Sequence, residues 1–176
     1  TLEGQFGENQ LDCGQGFFNA YEQSKFEAEK LVQRYRMKGL NIIVYRPSII
    51  TGDSKTGCTT NFKMFYQPLH FLALGLFKIL PATKGCLHSL VPVNEVAEAV
   101  CLLSDTGRNN KNSTWHLVNP HEVSFDFFID VASKMFRFKK PKMIPLESFP
   151  KKKLSRLQWH LINPFVPYFN YRLRFD

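Results

Sequence analysis

Residues 20–46 read as a helix, a glycine stop and a buried strand in that order, and few folds accommodate such a succession. From about Ala20 to Lys38, the residues Ala28, Leu31, Val32 and Tyr35 recur at helical spacing, which predicts a buried stripe, and Gly39 suits the end of the helix. Leu40-Asn41-Ile42-Ile43-Val44-Tyr45-Arg46 is then β-branched and mostly apolar over the length of a strand. A parallel strand covered on both faces has this character. Helix, short glycine turn and buried strand make half of a βαβ unit, so the fold class is α/β with a parallel sheet. Pro47 ends the strand. The loop from Ser48 to Gly57 therefore sits at the strand's carboxyl end, the edge at which open α/β sheets bind ligands.

The flanking segments fill in the pattern. Thr1 to Phe18 has no sustained period and reads as a loop, and Gly14-Gln15-Gly16 within it is no phosphate cradle, because no strand precedes it and a third glycine is missing. Thr60 to Leu80 is apolar and aromatic, broken at Pro68 and softened at Gly75, and predicts one kinked helix or two short ones, part of which could line an oily pocket. Leu87–Val93 predicts a second strand, Asn94 the cap of a following helix, and Thr114–Val118 a third strand. Ser124 opens a helix to about Phe138 that buries Phe127, Phe128, Val131, Ala132 and Met135. Lys142–Leu146 is a short edge strand, since Pro145 does not suit a central one. The tail carries Trp159, Phe165, Tyr168, Phe169, Tyr171 and Phe175; it reads as a helical cap on the core, with membrane contact as the sharper alternative.

Composition narrows the class of partner. In 176 residues, a hydrophobic fraction of 44% with 17 phenylalanines excludes a disordered chain. A net charge of +8 favours an anionic partner: nucleic acid, a phosphate-bearing cofactor, an acidic protein or a lipid surface. Nucleic acid is the weaker reading, because the lysine runs lack an ordered aromatic platform. Cys13, Cys58, Cys86 and Cys101 show no C-x-x-C pairing and no zinc-ligand spacing, so the expectation is reduced thiols, a cytoplasmic setting and no metal site. The longest apolar stretch, Pro68 to Leu80, is too short to span a bilayer.

Candidate chemistry begins with Tyr21 and Lys25, four residues apart and therefore on one face of the helix. A cation beside a phenol favours the phenolate and eases exchange of its proton, which is the requirement of a proton donor to a carbonyl. A surface helix with a solvated lysine has the same spacing, so the neighbouring motifs decide.

Several separated stretches match one family. Tyr21-Glu22-Gln23-Ser24-Lys25-Phe26-Glu27-Ala28-Glu29, Arg46-Pro47-Ser48-Ile49-Ile50-Thr51-Gly52-Asp53-Ser54 with Thr56-Gly57, Val91-Pro92-Val93-Asn94-Glu95-Val96-Ala97, and Trp115-His116-Leu117-Val118-Asn119-Pro120 followed by Val123-Ser124 occur in the family's order. The chain resembles the extended short-chain dehydrogenase/reductase superfamily, and within it the thioester-reductase and fatty acyl-CoA reductase (male-sterility-type, NAD-binding) branch. The resemblance implies the C-terminal part of a Rossmann-like parallel sheet plus a small, mostly helical substrate-binding cap. About 1–58 and 87–120 would form the sheet part, and about 59–86 and 121–176 the cap, as one fragment spanning 1–176.

The resemblance also implies roles. Tyr21 would donate a proton to the carbonyl oxygen, and Lys25 would favour the phenolate and hold the nicotinamide ribose. Pro47, Ser48 and Ile49 would lie against the nicotinamide, and Gly52, Asp53 and Thr56 would shape the substrate loop, a solvated turn being the plainer reading of Asp53. The activity would be NAD(P)H-dependent reduction of an acyl thioester, on CoA or on an acidic carrier protein, to an aldehyde or alcohol. The cofactor would be NADP or NAD, yet the glycine-rich pyrophosphate-binding half and the Ser or Thr that accompanies the family's Tyr are not found in these residues. They would then bind cofactor poorly and be inactive by themselves. The apolar Thr60–Leu80 segment and the aromatic tail would supply an acyl-chain pocket. Two other readings remain: a nucleotide-sugar epimerase or dehydratase, or a hydroxysteroid-type dehydrogenase, on the same fold; and a non-catalytic basic scaffold with peripheral membrane contact.

Overall fold

The computed structural model describes residues 4–63, 66–105, 112–170 and 173–175. In chain order these residues form β1 (Gly4–Phe6), α1 (Ala20–Met37), β2 (Val44–Pro47), β3 (Ile49–Thr51), α2 (Tyr66–Ala73), β4 (Ile79–Pro81), β5 (Leu87–His88), β6 (Leu90–Pro92), α3 (Val93–Asp105), β7 (Thr114–Leu117), β8 (Val123–Ser124), α4 (Phe125–Met135), β9 (Lys142–Ile144), α5 (Arg156–Ile162) and β10 (Leu173–Phe175). Two compact units divide them. One comprises 1–58, 90–120 and 172–176, the other 59–89 and 121–171.

The strand pairs of the first unit are all parallel among the described residues. β2 pairs in parallel with β7, β3 with β6, and β1 with β10. β2 and β3 are separated only by Ser48, whose N–H donates to Leu117 O at 3.0 Å, so one extended segment leaves one partner and takes another. The predicted strand over Leu40–Arg46 is thereby shortened at its start. Residues 40–42 already have partners elsewhere: Leu40 N–H donates to Tyr35 O, Ile42 N–H to Asn112 Oδ1, and Ile42 O accepts from Arg36 Nε. The short β3 and its partner β6 stand where a loop and the end of one longer strand were predicted.

Helix α1 begins at Asn19, whose side chain caps Glu22 N–H at 2.9 Å, and Gly39 follows its end with φ +91. Its boundaries match the expectation, but its inner face does not. None of its residues is buried; Leu31 is 50% exposed and Tyr35 44%. Of the predicted stripe only Val32 is half-covered, and Glu22, Phe26, Glu29, Lys30, Gln33 and Arg36 share that degree of cover. Arg36 donates to Ile42 O, Ser113 O and Thr114 Oγ1, and Glu29 receives Arg46. Directional polar contacts, rather than an apolar stripe, seat this helix.

The second unit holds the larger apolar core. Leu72, Phe77, Leu80, Phe125, Ile129, Met143, Ile162, Phe165 and Phe169 are buried together, with Phe125 stacked on Phe169 at 4.8 Å between centroids. β4 pairs in parallel with β9, and β5 antiparallel with β8. Pro68 lies within the first turn of α2, where the missing N–H costs no helical hydrogen bond, so it does not kink the helix. The far end of the predicted helical stretch, Ile79–Leu80, is strand. Ser124 caps α4 as expected, but the buried face is Phe125, Ile129 and Ala132, while Phe127, Val131 and Met135 are exposed. The aromatic tail is largely core: Phe165 and Phe169 are buried and Trp159 packs against the same cluster. Those side chains pack with Leu72, Phe77 and Leu80 in the core of this unit. Tyr171 and the side chain of Phe175 lie outside the described residues. Among the described residues no helix is long and apolar enough to cross a membrane.

Candidate functional site

The first unit carries all eight candidate residues. Tyr21 and Lys25 occupy successive turns of α1, with the Lys25 ammonium 5.5 Å from the centre of the Tyr21 ring and the Tyr21 side chain 61% exposed. The phenol is therefore accessible to solvent, and the cation lies over its ring. Ser24, between them, donates from Oγ to Tyr21 O at 2.7 Å. Pro47, Ser48 and Ile49 span the point at which the extended segment changes partner: Pro47 is opposite Leu117, Ile49 opposite Leu90. The carboxyl end of the β2–β7 pair therefore lies at Pro47 and Leu117, and open α/β sheets bind ligands outside such ends.

Gly52, Asp53 and Thr56 form a closed turn. Asp53 Oδ1 accepts from Thr56 N–H at 2.8 Å, Thr56 Oγ1 at 2.9 Å and Lys55 N–H at 3.0 Å. The Thr56 backbone and hydroxyl, with the Lys55 N–H, hold this carboxyl below the usual carboxylate range. Asp53 N–H donates to Cys58 O, and Gly57 N–H to Asp53 O. Asp53 thus organises its own loop. A Cβ on Gly52 would stand 2.7 Å from Gly57 O and 3.0 Å from Cys58 O, both backbone atoms with nowhere to retreat. Gly52→Ala is expected to lower stability by about 1–3 kcal/mol, as forced overpacking does. Urea unfolding followed at Trp115 checks it, and an unchanged midpoint contradicts the close approach.

Asn94 was expected to cap α3. Its side chain instead accepts Ser54 N–H at 2.8 Å and donates to Ser54 Oγ at 3.0 Å, so the loop is tied to the helix that follows β6. A second set of polar residues lies behind the site. Arg46 reaches Glu29 on α1, His116 Nε2 on β7, and the carbonyls of Glu8 and Gln10. Its sequence signal was a charge at the end of an apolar strand, which must find partners when covered. Among the described residues no three His, Cys, Asp or Glu side chains converge as metal ligands, and none of the four cysteines is in a disulfide.

Comparison with known proteins finds relatives of this chain. The family described as "Male sterility protein", an NAD-binding family, matches residues 3–100. One component of the linear gramicidin synthase of Brevibacillus parabrevis is 30% identical over 128 residues, which is 71% of this chain and 2% of that protein. The aldehyde reductase lnaA of Aspergillus flavus is 27% identical over 118 residues, 66% of this chain and 11% of that one. The chain thus spans about a tenth or less of the length of these curated relatives. Among solved structures, the terminal R domain of the myxalamid PKS-NRPS biosynthetic pathway superposes with a TM-score of 0.71 at 25% identity, covering 94% of this chain and 42% of that domain. The parallel pairs described above are therefore those of a Rossmann-like reductase fold.

Proposed function

We propose, from the premise that this chain belongs to the male sterility protein family of NAD-binding proteins, that it is the Tyr/Lys and substrate-side part of an NAD(P)H-dependent acyl-thioester reductase. The observation that carries the reading is the joint placement, in one unit, of the Tyr21–Lys25 helix and the 47–49 crossover with its 52–56 loop. The 1–58 and 90–120 segments serve the cofactor side and the 59–89 and 121–171 unit serves the acyl side.

The residues suit a nicotinamide cofactor: an exposed phenol and ammonium one turn apart, and a change of strand partner where the β2–β7 pair ends and the β3–β6 pair begins. Lys25 would hold the ribose, and Pro47, Ser48 and Ile49 would lie against the nicotinamide. When bound, that group supplies the hydride. Tyr21 Oη holds the proton that the thioester carbonyl oxygen takes up, and Lys25 favours the resulting phenolate. Gly52, Asp53 and Thr56 keep the loop beside that oxygen in one shape. The acyl donor is carried on an acidic carrier protein or on CoA, either of which suits a chain of net charge +8.

The test is substrate choice in the natural full-length protein. With NADPH or NADH, acyl-carrier or acyl-CoA thioester is expected to yield one free thiol per aldehyde, or per alcohol when the aldehyde is reduced further. Turnover of UDP-sugars without thiol release would favour the epimerase or dehydratase reading and overturn this one.

A further inference from the structure

The Arg46–Glu29 pair joins the two halves of the site. Arg46 Nη2 lies 2.6 Å from Glu29 Oε1, and Nε lies 3.0 and 3.2 Å from the two carboxylate oxygens, so the fork engages in planar fashion. Both side chains are largely covered, at 16% and 14% exposure. Nη2 also donates to Gln10 O at 2.8 Å, while Nη1 meets Glu8 O at 3.4 Å and His116 Nε2 at 3.0 Å. Glu8 Oε1 closes the ring by accepting His116 N–H at 2.7 Å. Phe6 covers the group, with its ring 5.5 Å from the guanidinium carbon and 6.0 Å from the His116 ring.

Position gives the pair its meaning. Glu29 lies one turn beyond Lys25 on α1, roughly 6 Å along the axis. Arg46 immediately precedes Pro47. Because α1 buries no side chain fully, apolar packing leaves its rotation and axial position loosely specified. A planar guanidinium–carboxylate contact specifies both, since a shift of about 1 Å breaks its geometry. We infer that Arg46 and Glu29 are positioning residues: they set Tyr21 and Lys25 in register with the 47–49 crossover, and so align the proton donor with the place where the hydride arrives. This inference rests on the reductase reading above.

A double-mutant cycle in the full-length protein tests it. Glu29→Gln keeps the shape and removes the charge, and Arg46→Lys keeps the charge and removes the fork. Each is expected to lower kcat roughly 10- to 100-fold, the scale of a small misplacement, with KM for thioester and cofactor within about twofold. In the Tyr21→Phe background Glu29→Gln should cost no further rate, while its effect on the unfolding midpoint should be the same in both backgrounds. A pair that only stabilises the fold would lower the midpoint and leave kcat alone, or its rate loss would multiply with that of Tyr21→Phe; either result overturns the inference. An undiminished rate in Tyr21→Phe alone would overturn the assignment of Tyr21, and the positioning role with it.

Discussion

Replacing Tyr21 by Phe in the full-length protein is expected to reduce kcat for thioester reduction by about 10² to 10⁴, the contribution of a positioned proton donor. The ring, and with it the Lys25 contact at 5.5 Å, is retained, so only the hydroxyl is lost. The side chain is 61% exposed, and substitutions at such positions change stability by no more than about 0.5 kcal/mol. Loss of rate with an unchanged unfolding midpoint therefore isolates a chemical role. If the rate instead stays within a few-fold of wild type, the proton comes from elsewhere and the catalytic assignment fails.

The second large effect is on stability at acid pH, and it resides in the other unit. His88, on β5, has its Nε2 buried with no hydrogen-bond partner among the described residues, and its ring meets Phe125 edge-on at 5.7 Å. Burial pushes its pKa down from 6.5 to about 4. The unfolded chain therefore takes up a proton, as pH falls through 6.5, that the folded unit refuses until about pH 4. Stability is full above pH 6.5, declines across that window, and levels off below it; the loss is on the order of 3 kcal/mol. Urea titrations at about pH 7 and pH 4.5, followed at Trp159, should show the decline in wild type and a smaller one in His88→Leu. Equal declines in both would place the titrating group elsewhere.

The sequence was most readable where local rules act alone. Asn19 and Gly39 bracket α1, Ser124 opens α4, and the β-branched run before Pro47 became a parallel strand. Tyr21, Lys25 and the 47–56 segment lie in one unit. What escaped notice depends on partners distant in the chain. Ala28, Leu31 and Tyr35 have the period of a buried stripe, yet the face of α1 turned inward is chosen by Arg36 and by the Glu29–Arg46 contact. α4 is rotated in the same sense: Phe125, Ile129 and Ala132 follow the helical period as well as the exposed Phe127 and Val131 do, and only the packing around Phe169 separates them. β3 is three residues long and exists because β6 lies beside it, and Asn94 has a loop rather than a helix end to satisfy. Periodicity reports that a helix has an apolar face, and tertiary pairing decides whether that face is used.

The interleaving of the first unit bears on biosynthesis. Arg46 and His116, neighbours across β2 and β7, are 70 residues apart in the chain. At roughly 5–20 residues per second, a ribosome emits β2 several seconds before the strand that pairs with it. During that interval residues 59–89, which belong to the other unit, emerge in between. The apolar segment around Ile43 and Val44 must wait unpaired, so nascent chains stalled between residues 58 and 114 are the species on which a chaperone would be expected to act.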